Sequence, residues 1–174
     1  MNMQTAKEKK WDKSTKAERR VMIAEDVIAQ LKLQNIYAMK GKFIRWTGNP
    51  SDSTKLKGIF KGRTSCSACV KGALFITSMQ YTNGMVMGDS NWLGDWRPDS
   101  SPMKKLSKIF TSLQLAYIET AFEKTAMDCN QDFVDWDSYL ADKLVAFGHK
   151  YYKDEDRMVA IMENIIKNKG TFKV

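Results

Sequence analysis

Three cysteines and one histidine pose the first question of chemistry. Cys66 and Cys69 stand in a Cys-x-x-Cys spacing, and with Cys129 and His149 they supply the ligand types that zinc prefers. The spacing works against that set, because Cys129 and His149 are distant single residues where a firm zinc signature needs a second close pair. No βαβ pattern surrounds the cysteines, which argues against a redox motif as well. Two cysteines opening an apolar helix read as small-residue core packing. His149 is the one imidazole open to a Ser-His-Asp or Cys-His scheme. It follows Phe147-Gly148 at a predicted helix end, where a histidine typically bonds the last carbonyls. The expectation is no catalytic residue, no cofactor and no metal, with Cys66, Cys69, Cys129 and His149 as the set to test for zinc.

Carboxylates offer two further arrangements. Glu119 and Glu123 lie one helical turn apart, a spacing suited to shared metal or proton chemistry, but beside Lys124 the pair reads as a solvated face. Asp128-x-Asn130-x-Asp132 begins like a calcium loop and then fails, with Phe133 where the turn needs Gly and Tyr139 where the bidentate Glu belongs. The basic residues Arg45, Lys55, Lys57, Lys61 and Arg63, interleaved with Trp46 and Phe60, have the composition of a phosphate-contacting surface with stacking aromatics. Neither a Walker loop nor a dinucleotide fingerprint nor an RNP sequence accompanies them. Trp92 and Trp96, four apart in a Gly/Asn/Asp-rich stretch over 82–101, mark a candidate contact loop.

The elements that position these residues are mostly helices. Cys66 to Met79 places Ala68, Cys69, Gly72 and Ala73 three and four apart. On a helix they form a flat stripe, and Val70, Leu74 and Phe75 make the other sides apolar, so a buried central helix is predicted over 65–81. Val21, Ala24, Val27, Ile28 and Leu31 recur at helical spacing from Thr15 to Leu33, with Thr15 and Glu18 as a capping box. Residues 35–46 read as one or two short strands turning at Lys40-Gly41. Ser101-Pro102 opens a further helix, and Thr111-x-x-Gln114 predicts a break and restart there. A helix from about Trp136 ends near Gly148. Asp154, Glu155 and Asp156 crowd the first turn of the last helix, whose stripe is Met158, Ile161, Met162, Ile165 and Ile166 before Gly170. Residues 1–14 are expected to be a flexible basic arm in which Trp11 docks, and 15–174 a single domain. The predicted class is mainly α: five or six helices around a buried one, with at most a small β element.

With 174 residues, 43% of them apolar and 11% aromatic, the chain can fill one sizeable core and is not disordered overall. No apolar run reaches the roughly 18 residues of a bilayer span. Met1 to Lys16 lacks the apolar segment of a secretory signal, which predicts an intracellular protein without membrane contact. The net charge of +8 is unevenly spread: residues 1–71 hold 16 Lys/Arg against 6 Asp/Glu, and residues 111–142 one against seven. Such polarity gives basic and acidic faces if the segments separate in space, and the basic half points toward a nucleic-acid or nucleotide partner.

Three blocks carry a resemblance. They are Cys66-Ser67-Ala68-Cys69-Val70-Lys71-Gly72-Ala73-Leu74-Phe75, the run Leu115-Ala116-Tyr117-Ile118-Glu119-Thr120-Ala121-Phe122-Glu123, and Arg157-Met158-Val159-Ala160-Ile161-Met162-Glu163-Asn164-Ile165-Ile166 with its tail to Phe172. Together they resemble a group of small bacteriophage- and prophage-encoded proteins, over about half of the chain; the basic loop at 47–64 and the acidic insert at 125–138 lie outside the likeness. The group has no activity to transfer, so the resemblance implies no site residues. It implies a phage accessory protein in the cytoplasm of an infected bacterium. By analogy of role, such a protein binds and neutralises a host protein or nucleoprotein complex, as an anti-CRISPR-like inhibitor of defence or by sequestering a phosphate-bearing ligand. The alternative expectation is a nucleic-acid-binding protein that uses the basic N-terminal half.

Overall fold

Residues 65–79 do not form one helix. Ser65–Ala68 is a strand (β3), and the helix (α3) runs Val70–Ser78 with Cys69 as its N-cap. The break is tertiary. Cys66 N–H donates to Asn35 O, Ala68 O accepts from Met39 N–H, and Cys69 N–H donates to Lys42 O, so flanking strands hold the segment extended. In the computed structural model, the described residues are 5–48, 50–51, 53–62, 64–82, 85–86, 100–125 and 138–174. Among them are seven α-helices and a three-stranded sheet with β3 in the middle. The mainly helical class with a small β element therefore holds, with more helices than expected.

β1 (Ile36–Ala38) pairs parallel with β3, placing Ile36 opposite Cys66 and Tyr37 opposite Ser67. β2 (Ile44–Thr47) pairs antiparallel on the other side, Arg45 opposite Ser67 and Trp46 opposite Cys66. Both predicted strands exist, at the edges of a sheet whose middle member is Ser-Cys-Ser-Ala. Small side chains are poor strand formers in isolation, yet here the neighbours supply the packing.

Every residue of α3 is buried, including Lys71, Thr77 and Ser78, so the central helix is as sealed as its composition predicts. Leu74, Phe75 and Ile76 are wholly excluded from water, each contributing roughly 1.5–3 kcal/mol. The small-residue stripe is used by a backbone: a Cβ at Gly72 would lie 1.6 Å from Phe43 O. Around α3 pack α2 (Lys16–Lys32), α4 (Ser101–Leu106), α5 (Ser112–Glu123) and β1. α7 (Asp154–Lys167) lies along α2, and α6 (Ser138–His149) lies along α5, where Gly148 lets Ala121 O approach.

The expected arm is instead a helix, α1 (Ala6–Lys13), started by a Thr5/Glu8 capping box. Trp11 is 4% exposed and stacks on Tyr81 at 4.3 Å between ring centroids. Tyr81 O–H donates to Asp26, which also pairs with Lys7 at 2.5 Å. The burial of one indole anchors α1. The Thr15/Glu18 box at α2 forms as read from sequence, while at α5 only half of the expected box forms. Thr111 accepts from Gln114 N–H, and Gln114 Oε1 is buried without a partner among the described residues. The last helix has its expected bounds and stripe, with Met158, Ile161, Met162 and Ile165 buried.

Candidate binding surface

The sheet has a covered and an open face. Strand alternation sends Ile36, Cys66, Ala68, Ile44 and Trp46 toward α2 and α3. All but half-buried Trp46 are buried. The opposite face carries Tyr37, Ser67 and Arg45 in one row across the three strands, with Ser65 and Thr47 in the next. Tyr37 is 45% exposed, Arg45 is exposed, and Arg45 has no carboxylate partner among the described residues. Lys32, Lys40, Lys42, Leu33 and Met39 are exposed in the flanking segments. The surface that results is cationic and aromatic.

Backbone groups at the outer edge of β2 do not extend this surface, because Ile44 is only 2% exposed. Cys66 and Ala68 direct their N–H and C=O toward β1, which leaves Ser65 and Ser67 to bond β2. Arg45 and Thr47 therefore face inward, and the N–H and C=O of Ile44 and Trp46 point off the outer edge. Neither residue's backbone is hydrogen-bonded there among the described residues. β1, by contrast, is flanked by α2 and α7.

The phosphate-contacting set read from sequence is only partly assembled. Arg45, Lys55 and Lys61 are exposed. Lys57 is ion-paired with Glu8, whose carboxyl that ammonium and the Thr5 N–H hold down to about 2. Lys55 forms an antiparallel bridge with Val86. Trp46 is on the covered face, its indole N–H buried without a partner among the described residues, and Phe60 packs against the core. Neither ring stands beside the exposed cations as a stacking platform. Tyr37 shares the open face with Arg45, across the middle strand from it, and the sequence pattern missed it; its alternation with Met39 on a short strand was the available signal. Arg63, Trp92 and Trp96 lie outside the described residues.

Of the groups with metal-binding chemistry, Cys66 and Cys69 are built into the core. Cys66 and Cys69 are buried free thiols, and loss of hydration pushes both up to about 12, far from thiolate reactivity. His149 is exposed as the last residue of α6, and Cys129 lies outside the described residues. Among the described residues, no group of three or more His, Cys, Asp and Glu could hold a metal ion. The capping role expected of His149 belongs to Arg157. Its buried guanidinium donates to Gly148 O (3.2 Å), Phe122 O (2.8 Å), Tyr151 O (3.1 Å), Tyr152 O (3.4 Å) and Asp154 Oδ1 (2.9 Å). An arginine three residues after the first acid of a helix was the only hint in the sequence.

Glu119 and Glu123 are not a solvated face either. Glu119 Oε2 lies 2.6 Å from Lys71 Nζ, on a side chain only 6% exposed. Glu123 accepts from Gly41 N–H at 3.2 Å through both oxygens, and burial raises its carboxyl above the ordinary range. Asp154 Oδ2 accepts from Lys40 N–H at 2.9 Å. Two carboxylates from two helices thus clasp the turn between β1 and β2, fixing the strands that carry the open face.

Compared with family models, curated proteins and solved structures, the chain matches none of them. No helix among the described residues is long and apolar enough to cross a membrane.

Proposed function

We propose that this chain is a non-catalytic accessory protein of phage or prophage origin that binds and neutralises a host factor, using the open face of its sheet. The supporting observation is the row Tyr37–Ser67–Arg45, where an exposed ring and an exposed guanidinium, without a carboxylate partner among the described residues, share one rigid face. Tyr and Arg are the side chains that most often anchor protein contacts, since each offers large area and directional bonds at little conformational cost. The clasp on Lys40 and Gly41 preorganises the strands, lowering the entropy lost on docking. A host factor that presents an acidic surface has complementary charge.

The same row supports a second reading, direct nucleic-acid binding, because a solvent-facing tyrosine on the same face as an exposed arginine, one strand away, can stack a base while the cation meets phosphate. One experiment separates the two. Immobilised wild-type protein and a Tyr37→Ala/Arg45→Glu variant are exposed to bacterial lysate treated with nuclease. A host protein retained by the wild type and lost with the variant supports the first reading; equal retention refutes it. A mobility shift whose log affinity falls steeply with log salt, and falls less steeply after Arg45→Glu, supports the second; a flat salt response refutes it.

A further inference from the structure

We infer that the turn joining α6 to α7, residues 149–153, is a contact for single-stranded nucleic acid, with the Tyr152 ring stacking on an unpaired base while Lys150 and Lys153 meet phosphates. It uses none of the row Tyr37–Ser67–Arg45 and goes beyond the reading of that face. Tyr152 is 94% exposed, and the backbone that presents it is fixed. The buried Arg157 guanidinium donates to Tyr151 O (3.1 Å) and Tyr152 O (3.4 Å), while Lys150 N–H and Tyr151 N–H close turns onto Phe147 O and Gly148 O. The neighbouring Tyr151 ring is turned back onto Phe147, with 5.6 Å between centroids. One ring packs, and the next is held out in solvent where a planar ligand can lie on it.

The surroundings of that ring are cationic. His149, Lys150 and Lys153 are exposed and have no carboxylate partner among the described residues. Asp154 is engaged by Arg157 and by Lys40 N–H, which brings the exposed Lys40 to the same turn. Lys124 lies beside Gly148, and desolvation, then the charges of Arg157 and Lys40, lower its ammonium below the ordinary range. The exposed acids nearest along the chain, Glu155 and Asp156, follow on the first turn of α7. An acidic protein surface is the lesser fit. Lysine, whose long stem is costly to order, is depleted in protein interfaces, whereas lysines around an outward aromatic ring hold a strand by its phosphates and bases together. A duplex hides the faces of its bases, so the ring selects single strands.

The test uses the full chain and a fluorescein-labelled oligothymidine of about twelve nucleotides, followed by anisotropy at about 50 mM salt. Binding is expected, weakened about fivefold or more by Tyr152→Ala and little changed by Tyr152→Phe, which keeps the ring. Because the side chain is 94% exposed, its removal leaves the core untouched. Lys150→Gln together with Lys153→Gln should make the slope of log affinity on log salt shallower by about 1.4, since each phosphate contact on a single strand contributes about 0.7. No binding at about 0.1 mM protein, a Tyr152→Ala variant equal to wild type, or a slope indifferent to the two lysines each overturns the contact. Equal affinity for the matching duplex, or for an oligoglutamate peptide of the same charge, overturns it too, the last in favour of an acidic protein surface. If affinity depends on Tyr37 and Arg45 but not on Tyr152, this inference falls and the nucleic-acid reading of the sheet stands. Dependence on Tyr152 without Tyr37 and Arg45 supports the turn alone.

Discussion

Replacing Arg157 tests how the C-terminal third is held together. The guanidinium is fully buried and bonds four carbonyls and one carboxylate. Arg157→Met keeps the apolar stem and removes the donors, so carbonyls at the ends of α5 and α6 lose partners in a place water does not reach. Each bond to a charged donor is worth about 1.5–3 kcal/mol, but they act as one unit and do not add. The better guide is the loss on removing one member of a buried charge network, about 3–5 kcal/mol. Against a typical total of roughly 5–15 kcal/mol that is a large fraction. For a chain of this size it lowers the melting temperature by roughly 8–15 °C. Arg157→Lys should fall between wild type and Met, because a compact ammonium cannot span acceptors spaced for a planar fork. Urea denaturation followed by circular dichroism, with the slope checked for constancy, measures both variants. A loss below about 1 kcal/mol for Arg157→Met, or a lysine variant equal to wild type, would refute the assignment of Arg157 as the clamp.

Lys71→Met alone should cost about 3–5 kcal/mol because it strands Glu119, and adding Glu119→Leu should recover most of that; a double variant no better than the single one contradicts the pairing. Gly72→Ala forces a methyl onto Phe43 O and should cost about 3 kcal/mol, so a thermal shift within a degree of wild type would show the backbone approach to be loose. Glu8 has a folded value depressed to about 2, so its stabilising contribution is full above the ordinary 4.5 and disappears as pH falls through that window toward 2. Glu8→Gln should therefore weaken the protein at neutral pH and match wild type near pH 2; a difference independent of pH is the contrary result. In a Cys129→Ser background, neither Cys66 nor Cys69 should react with Ellman's reagent until denaturant is added, and prompt labelling of the native protein would mean that the thiols are open.

Local signals carried most of the fold. The capping residue at Thr15, the acidic first turn at Asp154 and the 3.6-residue stripe of α7 are near-neighbour effects that a sequence displays directly, whereas the cap before Pro102 is Ser100, one residue ahead of the Ser101 expected. What misled was long-range. Ser65–Ala68 has helical small-residue spacing, and only partners 27 to 31 residues away, Asn35, Met39 and Lys42, make it a strand. Trp46 and Arg45 are adjacent in sequence, yet the pleat puts them on opposite faces, so a basic-aromatic cluster read along the chain is divided by the sheet. Glu119 looks solvated beside Lys124 because the counter-ion that draws it inward, Lys71, belongs to another helix. Composition reveals which groups are charged; topology decides which of them meet.

The clasp on the β1–β2 turn has a consequence for how the molecule is made. Its two acceptors, Glu123 and Asp154, are separated from Gly41 and Lys40 by 82 and 114 residues respectively. A chain growing from the ribosome can therefore wind α1 and α2 early, but its strands wait for late arrivals before they are locked. Until α7 emerges, an unguarded sheet with hydrogen-bonding rims on both sides is exposed to whatever extended polypeptide is nearby.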